Sequence, residues 1–223
     1  MIQAVIFNLD GVLVDTDVCH FKAWKRLAYE QGIALTPELY KSMIGMKRMD
    51  SLRILLKKAE RSYNPMEMWA LSARKNDLFN DLIDRLDETS LIPGAMDTVK
   101  RLRAMGLKTA VASSSENAGG ILRQLRVRPL FDVVVDGCDI EKGKPDPEVF
   151  LQAARRRAVP TGSCLVIENS PAGEEAARQA GMRLISVDAM TREDPDGARL
   201  VTLAQLALPD MLAREREDTE GEK

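Results

Sequence analysis

The sequence predicts an α/β protein with a Rossmann-like parallel-sheet core and an inserted all-helical cap domain. From residue 93 onward, helical segments alternate with short apolar runs, a pattern typical of a parallel sheet with right-handed crossovers. Between residues 18 and 88 the apolar spacing is helical, and an apolar strand at residues 4–8 precedes this region. Because that first strand must join the later sheet, the helical region is an insertion.

The core is expected to contain four helix–strand units after the insertion. Each apolar run is short enough for a strand, and each helical segment carries apolar residues on one face. The predicted helices span residues 95–105, 117–127, 147–158 and 171–181, and the strands that follow them span residues 107–112, 131–135, 164–167 and 183–187. A further strand is expected at residues 198–201.

The insertion is predicted to be a series of helices with short breaks. Thr36 and Asn64 are each followed by proline, which suits an N-cap residue followed by Pro at the first helical position. The chain is expected to enter the insertion near residues 15–16 and to leave it near residues 91–93. The predicted division is a core at residues 1–16 and 92–212, a helical cap at residues 17–91 and a charged, frayed tail at residues 213–223.

The composition is that of an ordinary globular protein. Of the 223 residues, 45% are hydrophobic and 30% are charged, and the net charge of −2 gives no reason to expect a nucleic acid or an anionic membrane as partner. The three cysteines lack the spacing of a metal or redox site, which favours a reducing compartment. Neither a signal peptide nor a membrane span is recognisable. We therefore expect a cytoplasmic monomer.

Polar side chains follow four of the predicted strands, at the edge where open α/β sheets bind ligands. They are Asn8 and Asp10, the run of residues 113–117, Lys144, and Glu168 with Asn169. Hydroxyl and amide groups before a helix suit a bound phosphate, although they also serve as a plain helix cap. A lysine at such a place either donates to a phosphate or stays solvated. Carboxylate and amide oxygens suit Mg²⁺.

The order of these motifs resembles that of the haloacid dehalogenase superfamily over nearly the full chain. The superfamily's first motif, Asp-x-Asp-Gly-x-x-x-Asp-Thr, reads here Asn-Leu-Asp-Gly-Val-Leu-Val-Asp-Thr from residue 8 to residue 16. Residues 20–25, 48–52 and 74–77 of the insertion, together with residues 113–117, resemble the β-phosphoglucomutase-like subfamily.

The resemblance implies phosphoryl transfer on a phosphorylated sugar or small phosphate ester, with Mg²⁺ as cofactor. The implied catalytic positions are Asn8, in place of the nucleophile, Asp10, as general acid and base, Thr16 and His20, which tie cap movement to Asp10, and Ser113 and Lys144, which hold the transferring phosphoryl group. The implied substrate-binding residues are Arg48, on the non-transferring phosphate, and Ser51, Lys75, Ser115 and Asn117. The implied metal ligands are Asn8, Asp10, Glu168 and Asn169.

Three departures from the superfamily pattern bear on activity. Asn8 is a neutral amide and forms no aspartyl phosphate, so covalent transfer has no acceptor. Asn169 replaces the carboxylate that usually completes the metal site, and Ile44 stands where the subfamily usually has a lysine. Two hypotheses follow: a mutase or phosphatase that is inactive in this form, or a phosphosugar-binding relative without chemistry. The sequence fits both an engineered and a natural origin of Asn8.

Overall fold

A five-stranded parallel sheet forms the centre of the computed structural model, which describes residues 1–187 together with Leu208 and Leu212. The strands run in the order β3-β2-β1-β4-β5. Their bounds are β1 Ala4–Phe7, β2 Lys108–Ala112, β3 Val133–Val135, β4 Cys164–Glu168 and β5 Arg183–Ser186. This confirms the predicted fold class. The strand expected at residues 198–201 and the charged tail at residues 213–223 lie outside the described residues.

The first strand lies in the middle of the sheet. Its four residues are all apolar and buried, as expected for a strand that is covered on both faces. Phe7 pairs with Val111 of β2 on one side and with Ile167 of β4 on the other. Three strands therefore end at the same level. The polar residues that follow or end these strands are brought to one edge of the sheet.

Helices cover both faces of the sheet. Alternate residues of β1 face opposite sides, so Val5 and Phe7 belong to one buried apolar cluster and Ala4 and Ile6 to another. The helices are α5 Ala95–Ala104, α6 Ala118–Gln124, α7 Glu148–Arg157 and α8 Pro171–Gln179. The first cluster includes residues of α5 and α6, and the second includes residues of α7 and α8.

Helix α6 is shorter than predicted. The apolar spacing indicated a helix over residues 117–127, but the helix ends at Gln124. Arg126 has a φ of 58°, in the left-handed region, which closes the helix before the predicted end. The other core elements lie within one or two residues of their predicted bounds, and Glu168 belongs to β4 rather than to the turn after it.

The insertion contains four α-helices and a short 3-10 helix at Glu88–Ser90, in line with the predicted series of helices. These inserted helices are α1 Asp17–Glu30, α2 Pro37–Lys41, α3 Arg48–Leu56 and α4 Pro65–Ile83. The predicted N-caps are confirmed, because Thr36 accepts a hydrogen bond from the amide of Leu39 and Asn64 forms a capping box with Glu67. Trp24, Leu27, Leu52 and Leu55 build a separate apolar cluster within the insertion.

The chain enters and leaves the insertion side by side. The amide of Asp15 donates to the carbonyl of Ser90 at 2.8 Å, and Val14 forms an antiparallel bridge with Leu91. Both crossings fall close to the predicted hinges. Phe79 and Ile83 of α4 nevertheless belong to the apolar cluster of the sheet, so the inserted helices are packed onto the core as well as tethered to it.

The inserted helices also meet the core at the carboxyl edge of the sheet. Gly45 has a φ of 82°, and a Cβ there would lie 2.3 Å from the hydroxyl of Ser170. The Nζ atom of Lys47 donates to the carbonyl of Ile140 at 2.7 Å. These contacts place the loop before α3 directly over the sheet edge. Among the described residues no helix is long and apolar enough to cross a membrane.

Candidate active site

A small cavity lies between the carboxyl edge of the sheet and the inserted helices. Its volume is about 70 Å³, far below the several hundred Å³ of a typical small-molecule site. Ten of the sequence-predicted site residues line it: Asn8, Asp10, His20, Arg48, Ser51, Lys75, Ser113, Ser115, Asn117 and Asn169. The other three, Thr16, Lys144 and Glu168, are buried behind this lining. The motifs therefore converge on one site.

The side-chain amide of Asn8 lies at the centre of this arrangement. Its Oδ1 atom accepts a hydrogen bond from Nζ of Lys144 at 3.1 Å. Its Nδ2 atom donates to the carbonyl oxygen of Asp10 and to Oδ1 of Asn169, both at 3.0 Å. Because an ammonium group only donates, the oxygen of Asn8 must face Lys144 and the nitrogen must face the two acceptors. All the hydrogen-bonding capacity of the Asn8 amide hydrogens is thus used within the protein.

Lys144 and Glu168 form a fully buried ion pair behind Asn8. The distance between Nζ and Oε1 is 2.5 Å, and both side chains are 0% exposed. The second carboxylate oxygen of Glu168 accepts hydrogen bonds from the amides of Asn169 and Ser170 and from the Ser170 hydroxyl. Charge and hydrogen bonds are both satisfied, which is the condition for burying such a pair. The Glu168 carboxylate thus accepts hydrogen bonds from four donors within the protein.

Asp10 is held in place by three side chains. Its Oδ1 atom accepts a 2.5 Å hydrogen bond from Thr16 and lies 3.5 Å from Nε2 of His20, and its Oδ2 atom accepts from Ser113 at 3.3 Å. Burial raises the pKa of Asp10, but the contacts with His20 and Thr16 outweigh burial and bring the pKa down to about 2. The carboxylate is ionised at neutral pH. Thr16 and His20 therefore hold the Asp10 carboxylate in this orientation.

His20 links Asp10 to Lys75 of helix α4. The His20 ring stacks on Phe79 with 4.0 Å between ring centroids, and its Nδ1 atom lies 2.9 Å from Nζ of Lys75. Burial lowers the pKa of Lys75 to about 7, and the charge of Arg48 acts in the same direction. Burial also lowers the pKa of His20. Near neutral pH this side of the cavity therefore carries less positive charge than its residue types suggest.

Arg48, at the start of α3, forms an ion pair with Glu116 of the core. The pair joins the inserted helices to the turn after β2 across the cavity. Ser51, one helical turn later, is buried and donates to the carbonyl of Met43 at 3.1 Å. In this arrangement Ser51 supports the loop before α3, and Arg48 is already matched by a carboxylate.

The turn after β2 contains three serines with different surroundings. The Ser113 hydroxyl accepts from the amide of Ser115, and the Ser115 hydroxyl accepts from the amide of Asn117. The Asn117 side chain does not cap α6 but donates to Asn76 of α4 at 2.9 Å. Ser114 also lines the cavity, and in the described part of the chain its hydroxyl oxygen is buried and has no hydrogen-bond partner.

The resemblance implies Mg²⁺, but the donor set here does not fit that ion while Asn8 keeps its orientation. Mg²⁺ requires several oxygen ligands in octahedral geometry. The carbonyl of Asp10 and Oδ1 of Asn169 are suitable oxygens, but both receive hydrogen bonds from the Asn8 nitrogen. No cluster of three or more His, Cys, Asp or Glu side chains suited to a metal occurs among the described residues.

Among the lining residues, Glu116 was not predicted as a site residue, and Ser114 was included only within the run of residues 113–117. Glu116 reads in the sequence as an ordinary solvated acid. No local signal identifies its role, because that role depends on Arg48, 68 positions away.

The family model of haloacid dehalogenase-like hydrolases matches residues 2–181 of the chain. The β-phosphoglucomutase of Bacillus subtilis is 38% identical over 187 residues, which is 83% of each chain. A phosphorylated carbohydrates phosphatase of Thermotoga maritima is 32% identical and covers 82% of this chain and 83% of its own length. A crystal structure of β-phosphoglucomutase from Clostridium difficile superposes with a TM-score of 0.87 at 30% identity, covering 98% of this chain and 99% of that chain. The chain belongs to the haloacid dehalogenase-like hydrolase family.

Proposed function

We propose that this chain binds a sugar phosphate at a site built for phosphoryl transfer, and that the transfer step itself is absent because Asn8 replaces the nucleophile. The observation that best supports this proposal is the position of the Asn8 amide, which contacts Lys144, Asp10 and Asn169 at the carboxyl edge of the sheet. The relatives include both a mutase and a phosphatase that act on phosphorylated carbohydrates. An aspartyl-phosphate mechanism of one of these two kinds is the activity we assign to the parent scaffold.

The phosphate of the ligand is proposed to lie between Asn8 and the turn after β2. We propose that the Ser113 hydroxyl, which donates to Asp10 in this structure, turns to the phosphate, and that the Ser114 hydroxyl, which has no partner among the described residues, donates to it as well. Lys144 lies behind Asn8, to which it donates a hydrogen bond, and its charge is shared with Glu168. Because the cavity measures only about 70 Å³, entry of a hexose phosphate requires the inserted helices to move away from the sheet edge. We propose that they act as a cap that closes over the ligand.

Asp10 is proposed to handle the proton on the sugar side of the reaction. Its carboxylate faces the cavity and is oriented by Thr16 and His20. A carboxylate in that state accepts a proton from an attacking hydroxyl group or water. With Asn8 in place no aspartyl phosphate forms, so Asp10 has no covalent intermediate on which to act. A ligand is held and released unchanged.

The experiment that tests the proposal is the Asn8→Asp exchange. The purified variant and the unchanged chain are incubated with radiolabelled acetyl phosphate in buffer containing MgCl₂, and protein-bound label is measured after acid quench. We expect label on the Asn8→Asp variant and none above background on the unchanged chain, since the missing element is the attacking carboxylate. The matched control is Asn64→Asp, the same chemical change at an exposed N-cap where aspartate also caps well.

The fate of the label separates the two candidate activities. Transfer to an added hexose phosphate supports a mutase, and loss to water alone supports a phosphatase. If Asn8→Asp binds inorganic phosphate but never becomes labelled, the parent scaffold is not a phosphoryl-transfer enzyme and only the binding function stands.

The free thiols of Cys19, Cys138 and Cys164 support action in a reducing compartment, and the expected cytoplasmic location and monomeric state stay predictions.

A further inference from the structure

The contact between Arg48 and Glu116 bears on which ligand the cavity accepts. Arg48 belongs to the inserted helices and Glu116 to the core, and both line the cavity. The Arg48 side chain is 15% exposed and that of Glu116 is 40% exposed, so the pair lies towards the opening. Gly137 leaves room for Glu116, because a Cβ there would lie 2.9 Å from the Cγ atom of Glu116. The Glu116 carboxylate is therefore held in a defined position by its surroundings.

The other lysines near the cavity are less suited than Arg48 to bind a second anionic group. Lys144 is neutralised by Glu168. Lys47 does not line the cavity and donates to the carbonyl of Ile140. Lys75 is buried beside His20, where a low pKa of about 7 leaves it only partly charged at neutral pH. Arg48 is thus the cation best suited to an anionic group far from the reacting phosphate, and its charge is already cancelled.

A second phosphate on Arg48 would have to displace Glu116 and would then stand beside a free carboxylate. Like charges at contact distance repel strongly where water is partly excluded. Sugar hydroxyl groups meet no such penalty, since they donate to the carboxylate and accept from the guanidinium. The neighbouring amide pair of Asn117 and Asn76 adds neutral donors and acceptors on the same side.

From this arrangement we propose that Glu116 is a specificity-determining residue: it selects sugar monophosphates, whose remote end carries hydroxyl groups, and disfavours sugar bisphosphates. This rests on the proposed function and names the ligand class of the same site. It replaces the expectation, drawn from the resemblance, that Arg48 holds a second phosphate. A mutase works through a bisphosphate. A chain that disfavours bisphosphates therefore resembles a phosphatase more than a mutase in its choice of ligand.

The test is calorimetric titration of the unchanged chain, which does not consume its ligand, with glucose 6-phosphate, glucose 1,6-bisphosphate and inorganic phosphate. We expect the monophosphate to bind more tightly than the bisphosphate. In Glu116→Gln, which keeps the shape and removes the charge, bisphosphate affinity should rise about tenfold while monophosphate affinity changes by less than about threefold. Adding Arg48→Met should abolish that gain. The charge-matched control Glu60→Gln, at an exposed position away from the cavity, should change neither ligand.

Several outcomes overturn the assignment. Tighter binding of the bisphosphate by the unchanged chain does so, and so does an equal gain for both sugar phosphates in Glu116→Gln, because that would be a general effect of net charge. If inorganic phosphate and the monophosphate bind but Glu116→Gln changes no preference, the role of Glu116 fails while the proposed function stands. If none of the three ligands binds to any variant, the proposed function fails and the inference falls with it.

Discussion

The Nζ atom of Lys144 lies 3.1 Å from Oδ1 of Asn8, and this contact fixes the orientation of the Asn8 amide. Since the lysine only donates, the amide nitrogen of Asn8 is directed towards the carbonyl of Asp10 and Oδ1 of Asn169. Two amide hydrogens therefore point at two oxygens that would be suitable ligands of a divalent cation. A carboxylate at residue 8 would remove those hydrogens and add a charge.

We predict that the unchanged chain binds Mg²⁺ at most weakly and that Asn8→Asp combined with Asn169→Asp binds it much more tightly. The double exchange supplies two charged oxygen ligands and removes the competing amide hydrogens, and charge is what offsets the dehydration of Mg²⁺. Isothermal titration with MgCl₂ in the absence of phosphate measures both proteins. Asn64→Asp serves as the control for an added surface charge. Micromolar binding by the unchanged chain would contradict the prediction.

Breaking the buried pair of Lys144 and Glu168 is predicted to be costly for folding. Both side chains are 0% exposed, so Glu168→Gln or Lys144→Met alone leaves a buried charge without its partner. Each single exchange should lower the free energy of unfolding by about 3–5 kcal/mol. The double exchange should cost clearly less than the sum of the two, as measured by urea denaturation. Additive losses would show that the two charges are not coupled.

The sheet, the inserted helices and most of the site were predictable because local patterns specify them. Apolar runs placed the strands, and polar residues after Phe7, Ala112 and Ile167 were brought together by the parallel register alone. The caps at Thr36 and Asn64 were predictable for the same reason, since a cap depends on a few consecutive residues. Such features need no knowledge of distant contacts.

The charge state of the cavity was not predictable, because it depends on pairs that are far apart in the chain. Arg48 reads as a phosphate ligand until Glu116 is found beside it. Glu168 reads as a metal ligand until its oxygens are found on Lys144 and on backbone amides. In each case the sequence contains the residue type but not the partner. The partner decides whether the group is available to a ligand.

Lys75 is predicted to make stability depend on pH. Its pKa falls from 10.5 to about 7 on folding, mainly through burial. Between these values the unfolded chain binds more protons than the folded chain, so the contribution of Lys75 to stability rises with pH and the penalty is largest below about pH 7. Lys75→Met should flatten the rise measured by urea denaturation between about pH 7 and pH 10. Lys58→Met, at an exposed site, should leave the slope unchanged, and a steep slope retained in Lys75→Met would contradict the assignment.

Replacing Gly173 is predicted to destabilise the protein, because this glycine leaves room for the Glu168 side chain. It lies in the first turn of α8, where alanine would normally favour the helix, but a Cβ at this position would lie 1.9 Å from Oε1 of Glu168. That oxygen is the one bound to Lys144. Gly173→Ala therefore has to displace the carboxylate from its partner, and we expect a loss of about 3 kcal/mol in the free energy of unfolding.

The matched control for Gly173→Ala is the same exchange at Gly120, an exposed glycine of α6 with nothing within 4 Å of its Cβ position. Gly120→Ala should stabilise the protein by about 0.5–1 kcal/mol, the ordinary gain from replacing glycine within a helix. Urea denaturation of both variants separates the two effects. If Gly173→Ala is as well tolerated as Gly120→Ala, Glu168 can move without loss. The buried pair would then not be a fixed part of the site, and Glu168 would be free to serve as the cation ligand that the resemblance implied.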